Sequence, residues 1–231
     1  MEPQTSVSPS PHGADDKTPS THMAIRYWPA VTVFLLITVV GLVADLWSKH
    51  AVFEWLLSDP AIQAMVEQKQ LNELTTPDEA VRRYALPLDR QVFGEVRFRI
   101  STNPGVVFGL PMPRAVVAVI SILTIGLVFL FFAVGDRRAW SMHIGLACIM
   151  AGALGNLYDR LFGAVFIPGF GEPITNQVRD FIDLSGYTVW GLSYGYIFNI
   201  ADVLLVLGVI LLIVNWWTFR KHEKAAKAKA K

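Results

Sequence analysis

Four long apolar segments dominate the pattern of hydrophobic and polar positions along this 231-residue chain. They are Trp28–Leu46, Arg114–Val134, Trp140–Leu161 and Tyr196–Phe219. Each approaches the roughly 20 residues that a helix needs to cross a bilayer, and the core helices of soluble domains are shorter. Composition agrees, because 53% of the residues are hydrophobic and only 17% are charged. We predict an α-helical polytopic membrane protein with four transmembrane helices.

The segments between the apolar runs have other periods. Alternating apolar and polar residues predict a strand over Val92–Ile100, and a capping-box pattern predicts a short outer helix over Thr76–Tyr84. A further helix is predicted over Pro60–Leu74. Glycine and proline predict a loop over Val165–Gln177, and Tyr187–Tyr194 is compatible with a strand or a turn. Since a lone strand is unstable, the strand and the strand-like pieces of these segments are expected to combine into one small sheet.

Charge divides the chain into a membrane domain and two tails. Residues 1–24 are rich in Pro, Ser, Thr and Asp and are predicted to be disordered. Residues 25–219 form the membrane domain, with insertions at about 50–113 and 163–195, and residues 220–231 form a basic tail. Lys and Arg are concentrated in the tails and in the turn between the second and third segments. By the positive-inside rule, both termini are cytoplasmic and both large loops are outside.

The remaining composition limits the partners and cofactors of the chain. A net charge of +1 predicts no nucleic-acid partner, and the basic tail is expected to contact anionic lipid at about 1 kcal/mol per Lys. Cys148 is the single cysteine and excludes an intrachain disulfide. The five histidines have no ligand spacing, and His143 is interpreted as a packing residue. We therefore expect no metal and no cofactor.

Two aspartates are the candidate chemical groups. Asp202 lies at the start of the apolar run from Val203 to Trp217, and Asp180 lies at the edge of the preceding loop. A carboxylate inside the hydrocarbon costs about 3 kcal/mol, so such residues usually face protein or water and usually have a function. Two close carboxylates that share one proton supply the base and the acid for peptide hydrolysis. An aspartyl dyad is one interpretation of this pair.

A structural interpretation is open beside it. Asn199 and Asp202 are three residues apart and would share a helix face, and Asn156 and Asp159 repeat that spacing. Such groups are also typical of helix caps and buried polar networks. Asp45 and Lys49 are interpreted as a local ion pair. A small transporter or proton relay is the alternative function, although the ionisable groups cluster at one face rather than along a path.

Four motifs in order resemble those of the lipoprotein signal peptidases, the type II signal peptidases of bacteria. The motifs read Asn103-Pro104-Gly105-Val106-Val107-Phe108, Gly155-Asn156-Leu157-Tyr158-Asp159-Arg160, Val178-Arg179-Asp180-Phe181 and Phe198-Asn199-Ile200-Ala201-Asp202. The resemblance extends from about Trp28 to Phe219. It implies a four-helix membrane bundle whose small periplasmic sheet forms a cradle for the signal peptide.

The resemblance also implies roles for individual residues. Asp180 and Asp202 would be the catalytic dyad, and the substrate would be a prolipoprotein cut before a Cys that carries diacylglyceryl. The enzyme would act as a monomer in the bacterial inner membrane, without a metal or cofactor. The residues implied to support the site or hold the substrate are Asn103, Gly105, Asn156, Asp159, Arg160, Asn199, Asp45 and Lys49.

This chain departs from the family pattern in several places. Val106-Val107 replaces a pair of small residues, Phe166–Asn176 has the character of an insertion, and Val52–Gln91 is extended. These changes leave the two aspartates intact but would reshape the substrate entrance. Asp183 is a rival to Asp180, and we prefer Asp180 because it stands in the Val-x-Asp-Phe motif. An inactive relative that binds lipidated signal peptides without cutting them is a further alternative.

Overall fold

The computed structural model of the chain describes residues 23–60, 64, 89–104, 114–167, 173–189, 192–193 and 195–229. Several predicted features lie outside these residues. They are nearly all of the disordered tail 1–24, the outer helix Thr76–Tyr84, most of Pro60–Leu74, and Gly105 with the two valines that follow it.

Four helices in the described part of the chain are long and apolar enough to cross a membrane, as predicted. They are α1 (Trp28–Leu57), α2 (Arg114–Val134), α3 (Trp140–Phe162) and α4 (Ile200–Lys229). Helix α3 packs against each of the other three. Away from the site, the Phe34 ring of α1 stacks on Phe132 of α2 with 4.0 Å between centroids. His143 is fully buried beside Phe132, in agreement with its interpretation as a packing residue.

Helix α1 continues eleven residues beyond the predicted end of the first apolar segment, from Leu46 to Leu57. Its last turns bury Lys49, Val52, Phe53 and Leu56, which follow the i, i+3, i+4, i+7 spacing of one helix face. The apolar members of this face pack against buried residues of the sheet. The prediction placed Asp45 and Lys49 at the helix end, whereas they lie within it because their charges are paired and buried.

Helix α4 begins at Ile200 rather than at Tyr196, and it continues to Lys229. Ile197 and Phe198 instead form a strand that pairs with Ile182 and Asp183. The predicted basic tail after Phe219 is therefore largely helical, which fits its many Ala and Lys residues, both good helix formers.

A four-stranded antiparallel sheet lies at the end of the bundle where α3 ends and α4 begins. Its strands, in spatial order, are β1 (Asp89–Phe93), β2 (Val96–Asn103), β5 (Val178–Asp183) and β8 (Ile197–Phe198). The prediction of a small sheet is confirmed, but its members differ from those predicted. The strands within Tyr187–Tyr194 pair with each other in a separate two-stranded sheet, and the predicted single strand Val92–Ile100 is wrong. It is a β-hairpin that turns at Gly94, whose φ of +52° favours glycine.

Two short hairpins complete the described fold. Strand β3 (Ala164–Val165) pairs with β4 (Ile174–Thr175), and β6 (Thr188–Val189) pairs with β7 (Leu192–Ser193). Apart from Ala164, the paired residues of the first hairpin lie within Val165–Gln177, which was predicted as a loop. Val165 and Ile174 are buried in the core that joins α1 to the sheet, so their packing gives this segment a regular structure.

Candidate active site

The structure brings Asp180 and Asp202 to one place, although they lie on different elements. Asp180 is a buried residue of β5, and Asp202 is a half-buried residue in the first turn of α4. Asn199 contacts both. Its side-chain Nδ2 donates to Asp180 Oδ1 at 2.6 Å, and its backbone N–H donates to Asp202 Oδ2 at 3.3 Å. One asparagine therefore links the two carboxyl groups.

Asn199 and Asp202 form a reciprocal cap at the start of α4. The backbone N–H of Asp202 donates to Asn199 Oδ1 at 3.0 Å, while the Asp202 carboxylate accepts from the Asn199 backbone. This is the capping-box geometry, in which the residue before the helix and the third helical residue satisfy each other. Asn199 is thus a cap rather than a member of a shared helix face, and the cap restrains the Asp202 side chain.

Asn156 from α3 holds the second Asp202 oxygen. Its Nδ2 donates to Asp202 Oδ1 at 2.9 Å, while its Oδ1 accepts from Asn199 at 3.2 Å and from Lys49 Nζ at 3.1 Å. A lysine ammonium only donates hydrogen bonds. Lys49 therefore requires the oxygen of Asn156 on its own side and directs the amide nitrogen at Asp202.

A buried network of ion pairs supports this arrangement. Lys49 lies 2.7 Å from Asp45 and 3.2 Å from Asp159, and none of the three side chains is exposed. Asp45 also accepts the Ala201 backbone N–H at 2.8 Å, which satisfies a donor in the first turn of α4. The predicted local ion pair is therefore present, but it is part of a network that joins α1, α3 and α4.

Arg179 is a supporting residue that the sequence interpretation missed. Its guanidinium contacts Asp159 Oδ1 at 2.6 Å, and its backbone N–H donates to Asp159 Oδ2 at 3.0 Å. This anchors β5 to the end of α3 and so helps to position the neighbouring Asp180. The signal in the sequence was a basic residue at the x position of the Val-x-Asp-Phe motif, in a loop whose other charged residues are acidic.

Asp183 lies apart from this cluster. It is paired with Arg99 at 3.6 Å and accepts the Ser185 backbone N–H at 2.8 Å. Residues an odd number apart on a strand point to opposite faces, so Asp180 and Asp183 do not share a face of β5. Of these two aspartates, Asp180 is the one whose carboxylate is hydrogen-bonded to Asn199.

Two further predicted residues lie at the site, and one is outside the described residues. Asn103 ends β2, and its side chain is hydrogen-bonded to Asp180. Arg160 lies in the last turn of α3, donates to the Asn156 backbone carbonyl at 3.2 Å, and is close enough to interact electrostatically with both Asp180 and Asp202. Gly105 is the residue that is not described.

Burial changes the ionisation of Asp180. Desolvation, together with the nearby charge of Asp202, raises the pKa of Asp180 to about 8, although hydrogen bonds from Asn199 and Asn103 oppose the shift. The raised pKa favours the protonated form of Asp180, while the two oxygens of Asp202 accept N–H hydrogen bonds from Asn156 and Asn199. Within the described part of the chain, no three His, Cys, Asp or Glu side chains are grouped so that they would hold a metal ion.

Comparison with known proteins identifies consistent relatives. The family profile described as "Signal peptidase (SPase) II" matches residues 37–218. A lipoprotein signal peptidase from Rhodopirellula baltica is 30% identical over 216 residues, which cover 90% of this chain and 82% of the relative. Another from Dichelobacter nodosus is 27% identical and covers 81% of this chain and 95% of its own.

Solved structures share the fold. Two structures of a bacterial membrane enzyme, determined by the in meso method, superpose with TM-scores of 0.53 and 0.51. Both are 20% identical in sequence, and they cover 85% and 84% of this chain. The four-helix membrane bundle with a small sheet is therefore an architecture already seen in a membrane enzyme.

Proposed function

The chain belongs to the signal peptidase II family, and from this premise we propose that it removes signal peptides from diacylglyceryl-modified prolipoproteins by aspartyl catalysis. Cleavage falls just before the lipid-bearing Cys. The observation that carries the proposal is the link made by Asn199, which is hydrogen-bonded to both Asp180 and Asp202 at the end of a membrane bundle.

The proposed reaction divides the two chemical roles between the aspartates. Asp202, whose two oxygens accept N–H hydrogen bonds, takes a proton from water as the water attacks the scissile carbonyl carbon. Asp180 gives its proton to the carbonyl oxygen, which produces a gem-diol. When the C–N bond breaks, Asp202 protonates the leaving nitrogen and Asp180 recovers a proton from the diol.

The charges around the pair support a single shared proton. The neighbouring cations are Lys49, Arg160 and Arg179, and the neighbouring anions are Asp45 and Asp159. A pair that carries one proton adds one negative charge, so three positive charges face three negative charges. Because an uncompensated buried charge is expensive, this balance favours the singly protonated pair.

The proposal includes an orientation in the bacterial inner membrane. Basic residues lie at the end opposite to the site, including Arg26, Arg137 and Arg138. Arg179, the basic residue of the site-end loop 163–195, is neutralised by Asp159. By the positive-inside rule, the site faces outward and both termini face the cytoplasm, where the basic end of α4 contacts anionic lipid.

A cleavage assay tests the dyad. Purified protein in detergent is given a diacylglyceryl-modified prolipoprotein and, in parallel, the unmodified precursor. We expect cleavage of the lipidated substrate alone, with a loss of at least about 1,000-fold in Asp180→Asn and Asp202→Asn, because neither amide can exchange the proton. Retained turnover in either variant would remove that aspartate from the dyad.

Asp183→Asn is the matched control, since it makes the same change three residues along β5. The Asn oxygen can still accept the Ser185 N–H, and we expect turnover within about three-fold of the unmodified enzyme. Binding of the lipidated substrate without any cleavage by the unmodified enzyme would instead identify an inactive binding protein.

A further inference from the structure

A cavity of about 210 Å³ lies beside the candidate site, between the start of α2 and the end of α3. It touches Pro104, the residue after Asn103, and Asn103 is hydrogen-bonded to Asp180. The cavity is therefore an immediate neighbour of the reacting groups. Its apolar wall is formed by Ala115, Val117, Ala118 and Leu161, and its two polar side chains are Arg160 and Asn176.

The backbone holds Asn176 in a defined position. Asn176 has a φ of +61°, in the left-handed region that Asn adopts more readily than most residues. It follows β4, whose Ile174 is buried and paired with Val165 of β3. Its Nδ2 donates to Thr175 Oγ1 at 2.9 Å. An amide nitrogen carries two N–H groups, so this contact uses one of them.

The two sides of the cavity differ in chemistry. Arg160 only donates hydrogen bonds, and the Asn176 amide nitrogen carries a second N–H besides the one directed at Thr175, so these N–H groups suit a hydrogen-bond acceptor. The opposite side is formed by α2, a helix suited to cross the membrane, and the residues one turn on from Ala115 and Ala118 are the exposed apolar Val119 and Ile122. A ligand that fits both sides has acceptor oxygens at one end and hydrocarbon at the other.

Building on the proposed function, we infer that this cavity binds the glyceryl ester group of the substrate lipid. Arg160 and Asn176 donate to the ester carbonyl oxygens, and the acyl chains leave along α2 into the bilayer. An ester carbonyl accepts hydrogen bonds and cannot donate them, which matches the N–H chemistry of Arg160 and Asn176. Asn176 is thereby a specificity-determining residue that lies outside the four sequence motifs.

The test compares two lipidated peptides that differ only in their lipid linkage. One carries a diacylglyceryl group with ester carbonyls, and the other carries a dialkylglyceryl group in which ether linkages replace them. Asn176→Gly removes the amide and keeps a residue that tolerates positive φ. Asn176→Asp keeps the shape and replaces the donor with an acceptor. Both variants are first checked for an unchanged thermal unfolding midpoint in detergent.

We expect both variants to raise KM for the diester peptide by about 3- to 10-fold, the value of one neutral hydrogen bond, while kcat changes by less than about two-fold. On the diether peptide, the unmodified enzyme should already show the higher KM, and the variants should add little. Equal losses on both peptides would place Asn176 against the peptide, and an unchanged KM would remove it from the substrate; either result overturns the inference.

The same experiment separates this inference from the proposed function. If the unmodified enzyme cleaves neither peptide although it is folded, the proposed function and the inference both fail. If it cleaves the diester peptide and Asn176 has no selective effect, the inference alone fails.

Discussion

Helices α2 and α3 are neighbours of similar length, but the more hydrophobic of the two is the less buried. Helix α2 has a mean hydropathy of 2.9 over its best window, with 17% of that window buried, whereas α3 has 1.2 with 56% buried. The more polar helix is the central one. In a bilayer the outer surface must be apolar, and polar groups are tolerated where they face protein. Low hydropathy in a spanning helix therefore marks the central helix of this bundle, and the site lies at the end of that helix.

Glycines on the two helices differ in the same way. A Cβ at Gly145 of α3 would lie 3.0 Å from the Gly208 carbonyl oxygen of α4, which is tighter than ordinary contact. A Cβ at Gly126 of α2 would meet nothing within 4 Å. Close approach of α3 to α4 brings Asn156 to Asp202, so the packing of these helices and the geometry of the site depend on each other.

The largest expected effect comes from removing the central cation of the buried network. Lys49→Met leaves Asp45 and Asp159 with one partner fewer and releases the Asn156 amide to rotate away from Asp202. We expect a loss of about 3–5 kcal/mol in unfolding free energy and of roughly 100-fold in turnover, because the Asp202 carboxylate, the proposed base, loses its fixed orientation. Thermal unfolding in detergent and the cleavage assay measure the two effects.

A double variant separates stability from positioning. Adding Asp45→Asn to Lys49→Met removes one unpaired anion, while the Asn oxygen can still accept the Ala201 N–H. Stability should partly recover and turnover should not. Recovery of both would mean that Lys49 acts only through folding. As the control on the lipid-exposed helix, Leu123→Met of α2 should change neither quantity.

A pH profile should give the next effect in size. With the Asp180 pKa raised to about 8 by burial and by Asp202, the pair loses its shared proton above that pH. We expect kcat/KM to fall about ten-fold for each further pH unit, as the loss of one essential proton requires. An activity that stays constant to pH 10 would contradict the assignment of Asp180 as the acid.

The free energy of unfolding should depend on the same ionisation of Asp180, and this contribution should decrease as the pH rises. Asp180 has a folded-state pKa above its ordinary value of 3.8, so its contribution is fully present below about pH 4 and is lost as the pH rises through about 8. Asp180→Asn should remove this dependence. Relative to the unmodified protein, its unfolding midpoint should therefore increase between pH 5 and about pH 8 and level off at higher pH.

The same contrast explains which features could be predicted from the sequence. The four helices were predictable because lipid contact requires apolar residues along each span. The ends of the helices were harder to predict. Helix α1 continues past Lys49 because the charge of Lys49 is paired and buried. Phe198 belongs to a strand rather than to α4 because it pairs with Ile182. The β1–β2 hairpin was missed because the alternation of apolar residues continues through its turn at Gly94.

The membership of the site shows a similar division. Asp180, Asp202, Asn156 and Asn199 were identifiable from short motifs, and the structure brings them together. Arg179 was treated as a loop charge because nothing in the local sequence shows that Asp159, twenty residues earlier, lies beside it. Pairings between distant elements are the part that local pattern does not contain.

The smallest predicted effect compares one added methyl group on each of the two helices. At Gly152 of α3, a Cβ would collide with the Ala201 carbonyl oxygen and lie 2.8 Å from Leu205 Cγ. We expect Gly152→Ala to cost about 1–3 kcal/mol by overpacking and to reduce turnover by up to about ten-fold, because Ala201 adjoins Asp202 and α4 must shift. Gly126→Ala should leave both unchanged. If the two variants behaved alike, tight packing of α3 on α4 would not be what holds Asp202 in place, and the polar contacts of Asn156 and Asn199 would have to do so alone.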